Sequence, residues 1–401
     1  MNVSAHHDWQ KRLDDLEARG RLRGLADLEP LPGHRVRTAD GALLLNLASN
    51  DYLGLGCDLS VQEAFLAKMA AEPVGTTGGF TASASRLMSG NHPACTALEN
   101  LIAQAYGNGR CALVFNSGYH ANLGILPSLA QRGDVILADR LAHASLIDGI
   151  RLSRAAWQRY RHGDTAHLRA LLAAHPPAPG RRTFIVTESI FSMDGDCAPL
   201  HELVVIKREH DAILIVDEAH AVGVRGAHGL GLAEEAGLLA DVDILVGTFG
   251  KALASVGAFA VVEPLVRDLL VNTMRSLIYT TALPPITLEW TRHVFAYALK
   301  ANDRRRQLAA NADLFRRELA RITGKPANGS HIVPLVAGAD QAAVTLAARL
   351  RGEGYLVPPV RPPSVPPGTA RLRFSICAGM NPDDLASLVR LAGIIQRENA
   401  P

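Results

Sequence analysis

The stretch Ala212-Ile213-Leu214-Ile215-Val216-Asp217-Glu218-Ala219-His220 runs five apolar residues into an acid, with a histidine three positions on. Three chemistries compete for such a pattern. Asp217 can cap a helix N-terminus, with His220 solvated beside it. D-E-A-H can be the metal-binding strand of a nucleotide hydrolase, which requires G-x-x-x-x-G-K-[ST] upstream. The comparable pair, Gly250-Lys251, lies downstream and is followed by Ala252. In the third chemistry, a carboxylate at a buried strand end holds a protonated heterocyclic nitrogen.

A second run, Ile244-Leu245-Val246, leads into Gly247-Thr248-Phe249-Gly250-Lys251-Ala252. A lone loop lysine is usually a surface charge. In apolar surroundings with little counter-charge its pKa falls, and it becomes a nucleophile able to form Schiff bases. An Asp at one strand end and a Lys at another, 34 residues later, is the pairing that pyridoxal phosphate (PLP) requires. The lysine takes the aldehyde; the Asp keeps the ring nitrogen protonated so that the ring accepts electrons.

Six motifs stand in one order: Ser49-Asn50-Asp51-Tyr52-Leu53-Gly54-Leu55, Asn116-Ser117-Gly118-Tyr119-His120-Ala121-Asn122, Asp139-Arg140-Leu141-Ala142-His143-Ala144-Ser145-Leu146, Ser192-Met193-Asp194-Gly195-Asp196, Asp217-Glu218-Ala219-His220 and Thr248-Phe249-Gly250-Lys251. Together, over residues 9–398, they resemble the α-oxoamine synthase family of fold-type-I PLP enzymes. The resemblance implies an α/β fold with a mostly parallel central sheet and a smaller α+β C-terminal domain. It also implies roles. Lys251 would be the covalent lysine and the proton shuttle at the substrate Cα. Asp217 would pair with the ring nitrogen and His220 with the phenolic oxygen. His143 would stack on the ring and touch substrate. Gly118 and Tyr119 would offer backbone N–H groups to the phosphate at a helix N-terminus, which favours anions. Ser192 and Thr248 would supply hydroxyls. Tyr279-Thr280-Thr281-Ala282 is similar to the stretch that reaches the phosphate of a neighbouring subunit, which implies a homodimer with shared active sites through Thr280 and Thr281.

The C-terminal part carries Arg361-Pro362-Pro363-Ser364-Val365-Pro366-Pro367-Gly368-Thr369-Ala370-Arg371-Leu372-Arg373. An arginine ahead of a rigid Pro-Pro is preorganised, and its fork suits a carboxylate. Arg361 is thus the expected anchor of the amino-acid carboxylate, with Asn50 nearby. This form resembles most closely the branch that joins L-alanine to pimeloyl-CoA or a pimeloyl carrier protein in biotin synthesis. That branch usually has Thr where this chain has Ser364; the hydroxyl survives, so the resemblance implies a weakened substrate contact there. Arg23 aligns with the family's N-terminal substrate arginine, although Ala26-Asp27-Leu28-Glu29 replaces the usual basic run. Branches acting on glycine with acetyl-CoA, on serine with palmitoyl-CoA, in 5-aminolevulinate formation or in autoinducer synthesis use the same machinery, and pocket size separates them.

These residues need a scaffold. Cys111–Phe115, Val135–Ala138, Thr183–Thr187, Ala212–Val216 and Ile244–Val246 are short apolar runs that read as buried strands of a mostly parallel sheet. Polar and glycine residues follow nearly all of them, at the strand ends where open α/β sheets bind ligands. The expected organisation is an N-terminal helical segment (1–45, with a charged helix over 9–29), a large PLP-binding domain (46–285) and a small α+β domain (286–401). In the small domain, helices over 286–323 precede strands at His331–Val336, Tyr355–Val360 and Arg371–Ile376 and a helix at Pro382–Arg397. The stretch 75–90, rich in Gly, Ser and Thr, is a surface loop or a close approach of backbone to a ligand or second subunit.

Composition excludes several classes. Of 401 residues, 48% are hydrophobic and 20% charged, too apolar for disorder of the bulk. The net charge of +2 carries no basic excess for nucleic acid. No apolar run reaches the about 18 residues of a membrane span. The N-terminus lacks a signal-peptide pattern. The five cysteines are scattered without C-x-x-C spacing, so we expect neither a metal site nor disulfides but reduced thiols in the cytoplasm.

Overall fold

Seven strands form the central sheet in the computed structural model, which describes residues 3–71, 79–176, 178–324 and 329–398. They are β1 (Cys111–Phe115), β2 (Val135–Asp139), β3 (Ala156–Tyr160), β4 (Thr183–Glu188), β5 (Ile213–Asp217), β6 (Ile244–Thr248) and β7 (Ala258–Val262). The sheet order is β1-β7-β6-β5-β4-β2-β3. β7 runs antiparallel to both its neighbours, and the remaining pairs are parallel. Every residue of β2, β4, β6 and β7 is buried. That is why these strands read as continuous apolar runs: helices cover both faces of such a sheet. The core interleaves Ile136, Phe184, Ile215 and Val246 of the sheet with Ile125, Leu126 and Leu146 of the helices.

The sequence reading found five of these strands and missed two. β3, Ala-Trp-Gln-Arg-Tyr, is an edge strand with mostly exposed side chains, so no apolar run marks it. β7 lies within the apolar stretch 252–262, where periodicity alone does not tell strand from helix.

The parallel arrangement brings Phe115, Asp139, Glu188, Asp217 and Thr248 to the same edge, each the last residue of its strand. Segments leaving that edge carry Gly118, at the start of a helix, and His143, Ser192, His220 and Lys251 in loops.

The chain divides into two compact units. The larger is Asp58–Ser192 with Asp196–Arg305; the smaller joins residues 1–57, 193–195 and 306–401. The divisions at 57/58 and 305/306 differ from the expected 45/46 and 285/286. Strands Leu28–Leu31, Arg35–Thr38 and Leu43–Asn46 share a sheet with Tyr355–Leu356, so the N-terminal segment belongs with the C-terminal one. The helix Pro285–Ala298 buries Leu288, Val294 and Phe295 within the larger unit, Phe295 edge-on to Phe259 at 6.2 Å. The smaller unit also holds the antiparallel sheet of Ile332–Gly338, Ala370–Ser375 and Pro359–Val360, with helices Asp340–Gly352 and Pro382–Glu398.

The N-terminal helix occupies Val3–Ala18 instead of 9–29. Gly20, at φ +64°, ends it: the Gly20 N–H donates to the Glu17 carbonyl and the Arg21 N–H to the Leu16 carbonyl, a Schellman closure. Leu22 and Leu25 therefore fall beyond the helix. Within 75–90, residues 75–78 lie outside the described ones. The remainder is pinned by Arg86, whose guanidinium meets Glu99 at 2.7 and 3.1 Å.

Candidate active site

Asp217 closes β5 between Glu188 of β4 and Val246 of β6. Its carboxylate is held from two sides. Oδ1 accepts the Ala219 N–H at 2.9 Å, and Oδ2 accepts from Asn122 Nδ2 at 2.7 Å. The turn after β6 places Lys251 Nζ 2.8 Å from Nε2 of the buried His220. The Asp and the Lys singled out by spacing thus sit on adjacent strand ends.

The helix Gly118–Leu129 starts at the same edge, capped by Ser117 Oγ, which accepts the His120 N–H at 3.2 Å. The first N–H groups of any helix have no partner within it, and here they belong to Gly118 and Tyr119. A side chain at Gly118 would begin 3.9 Å from the Thr248 side chain, which puts the helix N-terminus beside the end of β6. Thr248 Oγ1 donates to the Gly257 carbonyl at 3.0 Å and accepts the Gly250 N–H, shaping the lysine turn. The Tyr119 hydroxyl donates to Asp148. Ser192 is half-buried in the loop after β4, which the Ser189 N–H ties to the Asp217 carbonyl at 2.9 Å.

His143 caps the helix Ala144–Leu152. Its surface is exposed, yet the atoms packed around it depress its pKa below the usual histidine range. Burial is the largest cause; Asp217 opposes it, Lys251 reinforces it and Asp148 opposes it.

Three residues without a role in the sequence reading belong here. Asn122 and Ser145 lie within the six motifs and Glu188 outside them; they are 3%, 1% and 3% exposed. Burial drives the Glu188 pKa far above the carboxylate range, Asp217 adds to this and Lys251 opposes it. Its Oε1 is buried with no hydrogen-bond partner. The signal for Glu188 was present: an apolar run, Thr-Phe-Ile-Val-Thr, ends on an acid as the Asp217 run does.

Thr281 pairs with Ser85 in an isolated bridge, and its carbonyl accepts from Asn116 Nδ2 at 2.8 Å. Its side chain is exposed, that of Thr280 half-buried.

The expected substrate residues of the smaller unit fall in two groups. Arg23 Nη2 lies 3.3 Å from Ser364 Oγ, and Arg361 donates through Nη1 to the Gly20 carbonyl. Arg361 Nε is buried without a partner. Burial and then Arg23 lower the Arg361 pKa, which Asp340 counters. Asn50 stands apart from these, its Oδ1 accepting from Arg373 at 3.2 Å and from the Tyr52 hydroxyl at 2.9 Å.

The donor set fits PLP: a buried carboxylate for a ring nitrogen, a lysine amine beside a histidine, and a helix N-terminus for a phosphate. Residues 43–391 match the family model described as aminotransferase class I and II. The chain belongs to this family, in its α-oxoamine synthase branch. It is 51% identical over 377 residues to the 8-amino-7-oxononanoate synthase of Chlorobaculum parvum, covering 93% of this chain and 94% of that one. Among solved structures, a serine palmitoyltransferase from S. paucimobilis with a bound PLP–myriocin adduct matches with a TM-score of 0.88, 29% identity and 99% of both chains. The 8-amino-7-oxononanoate synthase of Francisella tularensis matches with a TM-score of 0.73, 28% identity, and 89% and 99% of the two chains. For this α-oxoamine synthase, backbone likeness spans branches with different acyl donors, whereas sequence identity favours one of them. No helix among its described residues is long and apolar enough to cross a membrane.

Proposed function

We propose that the chain is a PLP-dependent acyltransferase that condenses L-alanine with pimeloyl-CoA, or a pimeloyl carrier protein, to give 8-amino-7-oxononanoate, CO2 and the free thiol. The observation that carries this reading is the pairing of Asp217 and Lys251 on adjacent strand ends, with Lys251 Nζ 2.8 Å from His220 Nε2. The amino-acid and acyl specificity rests on the 51% identity to a synthase of that name.

When bound, PLP supplies an aldehyde for covalent capture of an amine and a sink for charge developed at the amino-acid Cα. Asp217, fixed by Asn122 and the Ala219 N–H, keeps a proton on the ring nitrogen. The Gly118 and Tyr119 N–H groups would receive the phosphate, with hydroxyls from Ser192, Thr248 and, from a second copy, Thr280 and Thr281. His220 serves the phenolic oxygen and the Lys251 amine. Lys251 Nζ removes the Cα proton of alanine and later returns one. His143 would lie against the ring and offer its side chain to the reacting acyl group. Arg361 orients the alanine carboxylate, with Asn50, Arg23 and Ser364 completing the substrate side. Loss of CO2 makes the condensation effectively irreversible. A homodimer follows from the role given to Thr280 and Thr281. Five free thiols suit a reducing compartment such as the cytoplasm.

Borohydride reduction of the PLP-loaded protein followed by peptide mapping tests the reading. A pyridoxyl label on Lys251 is expected; a label on any other lysine sinks it. A thiol-release assay over Ala, Gly and Ser with short, pimeloyl and long acyl-CoAs tests the branch. Faster turnover with serine and a long-chain donor would favour the palmitoyltransferase chemistry of the structural neighbours.

A further inference from the structure

Behind Asp217 a hydrogen-bond chain leads away from the strand ends. Asn122 Nδ2 donates to Asp217 Oδ2 at 2.7 Å and to Ser145 Oγ at 3.0 Å. Ser145 Oγ lies 2.7 Å from His143 Nδ1, and the Ser145 N–H donates to the same nitrogen at 3.2 Å. Three elements contribute: the helix Gly118–Leu129, the helix Ala144–Leu152 and β5.

The proton positions in this chain are forced. A carboxylate only accepts, so the Asn122 amide must turn Nδ2, not Oδ1, toward Asp217. The second Nδ2 hydrogen then goes to Ser145 Oγ, which accepts it. Ser145 Oγ could accept a second bond, but the Ser145 backbone N–H already donates to His143 Nδ1, so the hydroxyl donates to that nitrogen too. That nitrogen now faces two donors, the hydroxyl and the Ser145 backbone N–H. A ring nitrogen that accepts carries no proton, so the imidazole proton sits on Nε2.

We propose that Asn122 and Ser145 are positioning residues for the reaction: they pass orientation from Asp217 to His143 and hold His143 as the neutral Nε2–H tautomer, so that it meets substrate as a donor through Nε2. The proposal rests on the reading of Asp217 and His143 as cofactor-facing residues. The surrounding groups agree with it on balance. Burial and Lys251 disfavour the imidazolium, Asp217 and Asp148 favour it, and the net direction is toward the neutral ring. Glu188 of β4, buried and with Oε1 unpartnered, makes no hydrogen bond to the His143 ring. A neutral ring also keeps a second cation from drawing on the Asp217 charge that the ring nitrogen of the cofactor needs.

The test uses the full-length protein with 15N-labelled histidine, loaded with PLP and free of it, and reads imidazole 15N shifts across the neutral pH range. His143 is assigned by difference from His143→Gln. In the parent, His143 should be neutral with its proton on Nε2 and titrate below the usual histidine range. Ser145→Ala should give a mixture of tautomers and an upward-shifted titration. Its kcat should fall about tenfold, the scale of one lost hydrogen bond, with the KM for the thioester little changed. Ser145→Thr, which keeps the hydroxyl, should restore the parent spectrum. Asn122→Ala frees the Ser145 proton to turn away from His143 and should give the same spectral change; it serves if Ser145→Ala does not fold. A parent protonated on Nδ1, or variants whose His143 spectrum matches the parent, would overturn the relay. The spectra need no turnover. A chain that shows them but fails to label Lys251 or to release thiol keeps the relay and loses the functional reading.

Discussion

His162→Gln removes the cation from a three-membered cluster beside the site. His162 Nδ1 lies 2.9 Å from Asp139 Oδ1 and Nε2 lies 2.7 Å from Asp196 Oδ2. Burial opposes a charge on this ring, but the hydrogen bonds and fields of the two carboxylates outweigh it and push the pKa up to about 10. An ordinary histidine titrates near about 6.5, and each unit is worth about 1.36 kcal/mol, so the ceiling is about 5 kcal/mol. Solvent reaches 27% of the His162 side chain and about as much of Asp196. Screening of that kind reduces the expected contribution to about 2–3 kcal/mol. The folded pKa lies above the unfolded one. The contribution is therefore complete below about pH 6.5 and disappears as pH rises through about 10. Urea unfolding of parent and variant, with PLP in excess, should differ by about 2–3 kcal/mol near pH 6 and converge above pH 10. Asp139 also accepts the Leu141 and Gly163 N–H groups, and Asp196 belongs to the loop carrying Ser192. The variant should therefore also bind PLP more weakly. A stability gap of equal size at both pH values, or none near pH 6, would refute the linkage reasoning.

Asp217→Asn should retain PLP by absorbance yet lose about 3–4 kcal/mol of transition-state stabilisation, a fall in kcat of about 10²–10³, because an amide cannot hold the ring-nitrogen proton; steady-state rates within a few-fold of the parent would contradict this. Arg361→Ala should raise the KM for L-alanine by about one to two decades, the loss of a charge-assisted bond, and leave saturation by the thioester nearly intact. Lost thioester saturation with normal alanine binding would instead assign Arg361 to the acyl donor. Gly20→Ala should destabilise the N-terminal helix by about 1 kcal/mol, since Gly20 sits at φ +64°; hydrogen exchange over residues 3–18 checks it, and unchanged protection there would count against the Schellman account.

The sequence by itself determined the strands buried on both faces, β7 excepted, and the chemistry at their ends. A strand with no solvent-facing side must be apolar throughout, so a single Asp or Lys at its end is conspicuous; Asp217 and Lys251 were legible for that reason. An edge strand has no such constraint, and β3 was invisible. The joining of the N-terminal strands to Tyr355–Leu356 was also invisible, because pairing between segments more than 300 residues apart leaves no local period. Tertiary structure alone decided which polar groups stand behind the expected site residues. Asn122, Ser145 and Glu188 carry no distinctive spacing to Asp217 or His143. Only the parallel register of β4 against β5, and the start of two helices at the same sheet edge, bring their donors and acceptors within hydrogen-bond reach. In a buried setting such groups must find partners, so the fold that assembles them also fixes where their protons lie.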